Sequence, residues 1–171
     1  MNDFLDKIWQ ERFKKGMELE LFVGSYLLSQ GLCVYIPEKK NRPSYKNRKN
    51  FGDAYDMRVY NKRGLVYFLE IKSQKHEWTC LDDFPFEDIL VDNKDQWERK
   101  RGKIDILAHI FVSQPTGAML VLGAASRQFW VIKDTYDYGV GGGHRLTIPK
   151  YTCHKSYLKP VEKLIQFIKF R

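Results

Sequence analysis

The chain has 171 residues, 43% of them hydrophobic and 29% charged, and a formal net charge of +8. This is an ordinary globular composition, long enough for a single domain (1–171) with a core of its own, and the excess of Lys and Arg favours a polyanionic partner. No apolar run reaches the roughly 20 residues that cross a bilayer, and no signal peptide is expected. Cys33, Cys80 and Cys153 are too scattered for a disulfide framework or a zinc site, so they read as reduced thiols of a cytoplasmic, intracellular chain.

Residues 2–30 read as a helix. Asn2 or Asp3 can cap it, and Phe4, Ile8, Phe13 and Met17 form an apolar stripe at helical spacing. Leu19, Val23, Tyr26 and Leu27 continue a buried face, Glu20 sits beside that face, and Gly31 closes the helix. A short strand is predicted over 32–36 and ends at Pro37. The segment 38–50 carries Lys39, Lys40, Arg42, Lys46, Arg48 and Lys49 against one acid, Glu38, and has no apolar period. It reads as a basic loop, suited to gripping phosphates.

That loop leads into Asp53 and Asp56, then a strand over 57–60, a turn over 61–64 and a strand from Leu65 to Ile71. In the second strand Leu65, Tyr67, Leu69 and Ile71 point one way, Val66 and Phe68 the other. An apolar run on both faces marks a central, covered strand. On the Val66/Phe68 side the pattern then changes to Glu70 and Lys72, a carboxylate and an ammonium on one face. Burying either without a partner is costly. If the hairpin connection is even, Asp53 shares the Glu70 face; if it is odd, or a bulge adds a residue, Asp56 lies opposite Glu70. Asp56 abuts the apolar strand directly, which favours it over Asp53.

Beyond Lys72 the chain is expected to leave the sheet, with Gln74 near the cleft and His76 in a loop. A short strand is predicted over 89–91 and a helix over 95–103, where Arg99, Lys100, Arg101 and Lys103 form a second basic patch. Strands over 108–113 and 119–123 are joined by the turn Gln114-Pro115-Thr116-Gly117, and another strand follows over 129–133. The glycine-rich stretch 139–143 lacks the Gly-Lys-Ser/Thr ending of a phosphate-binding loop and reads as a mobile linker. The chain closes on an amphipathic helix over 157–170, with Pro160 in its first turn and Val161, Leu164, Ile165 and Ile168 on its buried stripe.

Two carboxylates and a lysine at a strand end suit a hard divalent cation that activates water and offsets charge on a phosphodiester. The arrangement resembles the PD-(D/E)XK nuclease superfamily, the restriction-endonuclease-like fold, in which an acid opens one strand and Glu-x-Lys closes the next. The matching residues are Asp56 and Glu70-Ile71-Lys72; Tyr55 stands where the motif has proline. The first helix is also similar, with Gly16-Met17-Glu18-Leu19-Glu20 and then Leu27-Leu28-Ser29-Gln30-Gly31. The resemblance covers the first half of the chain. It implies an α/β fold with a mixed central β-sheet flanked by α-helices. It implies a Mg²⁺-dependent deoxyribonuclease, with Mn²⁺ able to substitute. Asp56, Glu70 and the Ile71 carbonyl would hold the metal, Glu20 would join it directly or through water, and Lys72 would stabilise or orient the attacking group. Enzymes of this kind often act as homodimers on DNA. The alternatives are a non-catalytic nucleic-acid-binding protein of the same fold and an accessory interaction domain whose Glu70–Lys72 pair is structural.

Neutralising Lys39, Lys40, Arg42, Lys46, Arg48 and Lys49 together is expected to weaken DNA binding and flatten its salt dependence. Each lost contact should lower the slope of log K against log salt by about 0.9 on duplex DNA. Binding isotherms at several salt concentrations check this, and an unchanged slope would make the segment a solvated insertion.

Overall fold

Side-chain alternation along one central strand divides the protein into two cores. A computed structural model describes residues 2–38, 55–138 and 145–171. In chain order the elements are helix α1 (Asn2–Ser29), strands β1 (Cys33–Tyr35), β2 (Met57–Tyr60), β3 (Val66–Gln74) and β4 (Asp88–Asn93), and helix α2 (Lys94–Lys100). Strands β5 (Ile106–Ser113) and β6 (Met119–Gly123) follow, then a 3₁₀ turn (Ala124–Phe129), strands β7 (Val131–Tyr138), β8 (Arg145–His154) and β9 (Lys159–Pro160), and helix α3 (Val161–Phe170). The basic residues Lys39, Lys40, Arg42, Lys46, Arg48 and Lys49, together with Asp53 and the stretch 139–143, lie outside the described residues.

Among the described residues, a mixed six-stranded sheet runs in the order β1-β2-β3-β5-β6-β9. Strands β3 and β5 are parallel, and the other neighbours are antiparallel. Leu69 and Ile71 of β3 join Met57 and Val59 of β2, Ala108, Ile110 and Val112 of β5 and Val121 of β6 in one core. Val23 and Leu27 of α1 and Val161, Leu164, Ile165 and Ile168 of α3 close it. The alternate residues Phe111, Leu120 and Leu122 face the other way and form a second core with Trp78, Phe84, Ile89, Val91, Cys153 and Leu158. Helices therefore cover one face of the large sheet. The other is covered by the 78–86 segment and by a second sheet of order β4-β8-β7.

This second sheet departs from the single mixed sheet flanked by helices that the sequence suggested. Several boundaries also move. Strand β3 continues past Lys72, because Ser73 and Gln74 still pair with Val112 and Ser113 of β5; backbone pairing does not require an apolar side chain. Helix α2 ends at Lys100, short of the predicted 103, where Gly102 adopts a φ of 84° that glycine reaches without strain. Helix α3 begins only at Val161, since Lys159 and Pro160 pair with β6 instead. Helix α1 matches its predicted span and approaches the sheet closely at Gly24, where an added Cβ would lie 3.0 Å from Ile36 Cδ1 and 3.4 Å from Met57 Cε. No described helix is long and apolar enough to cross a membrane.

The turn between β2 and β3 sets the register on which the polar end of the hairpin depends. Tyr60 pairs with Val66 and Met57 with Leu69, so residues 61–65 form an odd connection. The buried Asn61 carboxamide holds it: its Oδ1 accepts from Arg63 N and Leu65 N, each at 2.9 Å. Gly64, at φ 77°, closes the turn by donating its N–H to the Asn61 carbonyl at 3.0 Å. Counting back from this turn places Asp56 opposite Glu70, and Asp56 N donates to the Leu69 carbonyl at 3.1 Å. Asn61→Ala is expected to remove both side-chain bonds and cost about 1–3 kcal/mol of stability. Urea denaturation of the variant measures this, and a loss near zero would mean that the backbone alone fixes the turn.

Candidate active site

Parity along β3 gives the site its first two members. Leu69 and Ile71 enter the helix-side core, so Glu70 and Lys72 project from the opposite face, beneath the second sheet. Glu70 is 6% exposed. Its Oε1 accepts from Lys72 Nζ at 3.0 Å and from Lys100 Nζ, at the end of α2, at 2.6 Å. Across the cleft, Asp92 of β4 is also 6% exposed. It lies 3.5 Å from Lys72 Nζ through Oδ1 and 3.6 Å from Lys100 Nζ through Oδ2. Each ammonium thus bridges two buried carboxylates. Asp56 completes the group from the start of β2, where its Oδ2 accepts from Ile71 N at 2.8 Å. A shift in the β3–β5 pairing falls between Phe68 and Leu69, one residue before Glu70, the kind of irregularity that re-aims side chains beside a site.

These charges determine one another's protonation. Burial by itself would favour the neutral acid at Glu70, but the Lys72 and Lys100 ammoniums outweigh it and lower its pKa to about 2. Burial would likewise strip the proton from Lys72. Glu70, Asp92 and Asp56 reverse that and hold it firmly as the ammonium. Strand β5 places His109, 2% exposed, opposite Glu70. Burial, reinforced by the neighbouring lysines, lowers the His109 pKa to about 3, so the ring is neutral. Trp97 and Trp130 pack on it with ring centroids 5.6 and 5.5 Å away, which gives the cluster an apolar wall.

The predicted residues separate into those the fold gathers and those it does not. Asp56, Glu70 and Lys72 converge, and Ile71 supplies the N–H that Asp56 accepts. Glu20 is 8% exposed and lies one helical turn before Val23 on α1, which packs into the helix-side core. Gln74 remains in the sheet, paired with Ser113 of β5, and His76 packs edge-on against Phe86 with ring centroids 4.8 Å apart. Of the second basic patch, Arg99, Arg101 and Lys103 are exposed, whereas Lys100 turns inward to Glu70. Arg101 and Lys103 line an open cleft with Trp97 and Arg127.

Sequence reading missed Asp92, His109 and the inward role of Lys100. Asp92 left one signal, an acid directly after the buried alternation of Ile89 and Val91. Lys100 also left one, since it stands a helical turn after the buried Trp97.

A hard divalent ion requires oxygen ligands. Glu70 Oε2 is buried without a hydrogen-bond partner, and the Asp56 carboxylate lies at the same end of the hairpin, so the oxygens present fit such an ion. Among the described residues, no group of three or more Asp, Glu, His or Cys side chains is arranged around a metal position; two lysines supply the positive charge instead. No protein-family model and no curated protein matches the chain. Among solved structures it is similar to a bacterial homing endonuclease, at 18% identity over 90% of each chain and a TM-score of 0.45.

The depressed pKa of His109 has a consequence for stability. An unfolded histidine takes up a proton near pH 6.5, whereas His109 resists protonation down to about 3. The unfolded state therefore binds more protons throughout that window, and stability falls as pH is lowered through it, by at most about 1.4 kcal/mol per pH unit. Glu70 adds to the loss only between 4.5 and about 2. His109→Gln is expected to flatten the stability profile between pH 6.5 and 4.5, measured by urea denaturation. A profile parallel to that of the unaltered protein would show that His109 is not held neutral.

Proposed function

We propose that the protein is a Mg²⁺-dependent nuclease that hydrolyses DNA phosphodiester bonds at Asp56, Glu70 and Lys72. The observation that carries this reading is the convergence of the three residues. The odd turn puts Asp56 opposite Glu70, and Lys72 lies 3.0 Å from the Glu70 carboxylate on the same strand face. Asp56, Glu70 and the Ile71 carbonyl would hold the ion, with Mn²⁺ able to take its place. When bound, the metal would lower the pKa of a water and neutralise charge on the phosphate.

The remaining work falls to the protein's own groups. Lys72 is held protonated by the acids around it, so it acts as a fixed positive charge and hydrogen-bond donor toward the attacking oxygen or the phosphate, and not as a base. The apolar wall of Trp97 and Trp130 limits competing water and strengthens each charge–charge interaction. The exposed Arg99, Arg101 and Lys103, together with the cations of segment 38–50 and the net charge of +8, suit the flanking phosphates of a DNA backbone.

The close Lys100–Glu70 pair favours one other reading, an accessory domain in which the charged cluster is structural. Cleavage assays separate the two. Glu70→Ala is expected to abolish Mg²⁺- or Mn²⁺-dependent cleavage of linear, single-stranded, branched or nicked DNA while retaining most of the DNA affinity. Asp56→Asn is expected to lose activity by about a hundredfold or more, the scale of losing a directly stabilising group, and Asp53→Asn less. Undiminished cleavage by the Glu70 variant would reject the site, and a dead Asp53 variant beside an active Asp56 variant would move the first ligand to Asp53.

A further inference from the structure

Lys100 lies on Oε1 of the Glu70 carboxylate, the side chain whose free Oε2 the metal-site reading gives to a divalent ion. We propose that it is a resident counter-ion, displaced from Glu70 when the metal enters, and that this exchange sets the protein's affinity for the ion. The inference rests on the metal-site reading above.

The charges in the cluster support it. Asp56, Glu70 and Asp92 contribute three negative charges, and Lys72 and Lys100 two positive ones. A divalent ion added to this set leaves a net positive charge in a largely buried site. With Lys100 withdrawn, the same ion balances the three acids and Lys72. Uncompensated charge is costly in such surroundings, so metal and Lys100 oppose each other. Linkage makes the opposition reciprocal: whatever Lys100 takes from metal affinity, the metal takes from the Lys100–Glu70 pair.

The fold identifies which lysine can leave. Lys72 is fixed by the central strand β3, paired on both sides by β2 and β5, and faces three acids that hold its proton. Lys100 is the last residue of the seven-residue helix α2, followed by a turn in which Gly102 adopts a φ of 84°. Buried Trp97 anchors the helix one turn earlier, so the Lys100 side chain can swing out while the helix stays in place. Released, its ammonium joins Arg99, Arg101 and Lys103 at and just beyond the exposed end of α2, where a phosphate backbone would meet it.

The test is direct binding of Mn²⁺ to the purified full-length protein without DNA, read by isothermal titration calorimetry and by the loss of the free-ion electron paramagnetic resonance signal. Lys100→Met, which keeps the length of the side chain and removes its charge, is expected to bind Mn²⁺ about tenfold or more tightly than the unaltered protein. Adding Glu70→Gln to that variant should abolish the gain. Equal, Glu70-dependent affinity in both proteins would overturn the proposal and leave the metal site standing. Failure of Mn²⁺ to bind either protein would overturn both. A second measurement needs no variant to fold: in lysine side-chain nuclear magnetic resonance of the unaltered protein, Mg²⁺ should shift the Lys100 signal toward that of a solvated lysine and leave Lys72 in place. An unmoved Lys100 signal at saturating Mg²⁺, or movement of Lys72 instead, would likewise reject the exchange.

Discussion

A carboxylate almost wholly out of water in the middle of a sheet must be matched by positive charge, and much of this protein follows from that requirement at Glu70. Its matching cations come from two places, Lys72 on the same strand and Lys100 at the end of α2. Asp92 on β4 then balances both. The cluster therefore ties the central sheet, the small sheet and the short helix together at one point. Removing one member of such a buried group leaves a charge without compensation, at about 3–5 kcal/mol. The same attraction that joins the layers fixes the ionisation of the site.

The surroundings intensify these effects. Trp97, Trp130 and the neutral ring of His109 pack at steep angles to one another beside the charges, and Arg127 lies over the Trp97 ring, 5.2 Å from its centroid, while reaching back to Asp105 and the Ile106 carbonyl. Low polarity on this side strengthens the attraction between ammonium and carboxylate. It also explains why His109 stays neutral and Lys72 charged although they are neighbours: burial acts against the charged form of both, but only Lys72 has three acids to offset it. Lys72 therefore remains a fixed positive charge beside Glu70.

Much of the large sheet was legible in the chain. The both-sided apolar run of β3, the turn at 61–64 and the hairpin of β5 and β6 all carry local signals, and each forms close to its expected place. Of the small sheet, the expected strands over 89–91 and 129–133 correspond to β4 and β7, but β8 and the pairing were not legible. Strand β4 pairs with β8, from Asp88 with His154 to Asn93 with Lys150, and such a long-range pairing leaves no periodic mark in either segment. Within residues 95–103 the one sign that Lys100 points inward was its place a helical turn after Trp97, set against an otherwise polar and basic composition.

The sequence by itself determined the faces: period-two alternation puts Glu70 and Lys72 on one side of β3 and Leu69 and Ile71 on the other, whatever surrounds the strand. It left the choice between Asp53 and Asp56 open, because parity across a hairpin depends on the length of the turn. Only the folded turn fixed that length, through the Asn61 side chain that makes residues 61–65 an odd connection and sets Asp56 opposite Glu70. Tertiary structure alone also supplied Asp92 and Lys100, the latter thirty residues from the Glu70 it pairs with. Alternation is a property of adjacent residues, whereas a buried charge finds its partner wherever the packing of distant elements brings one within reach.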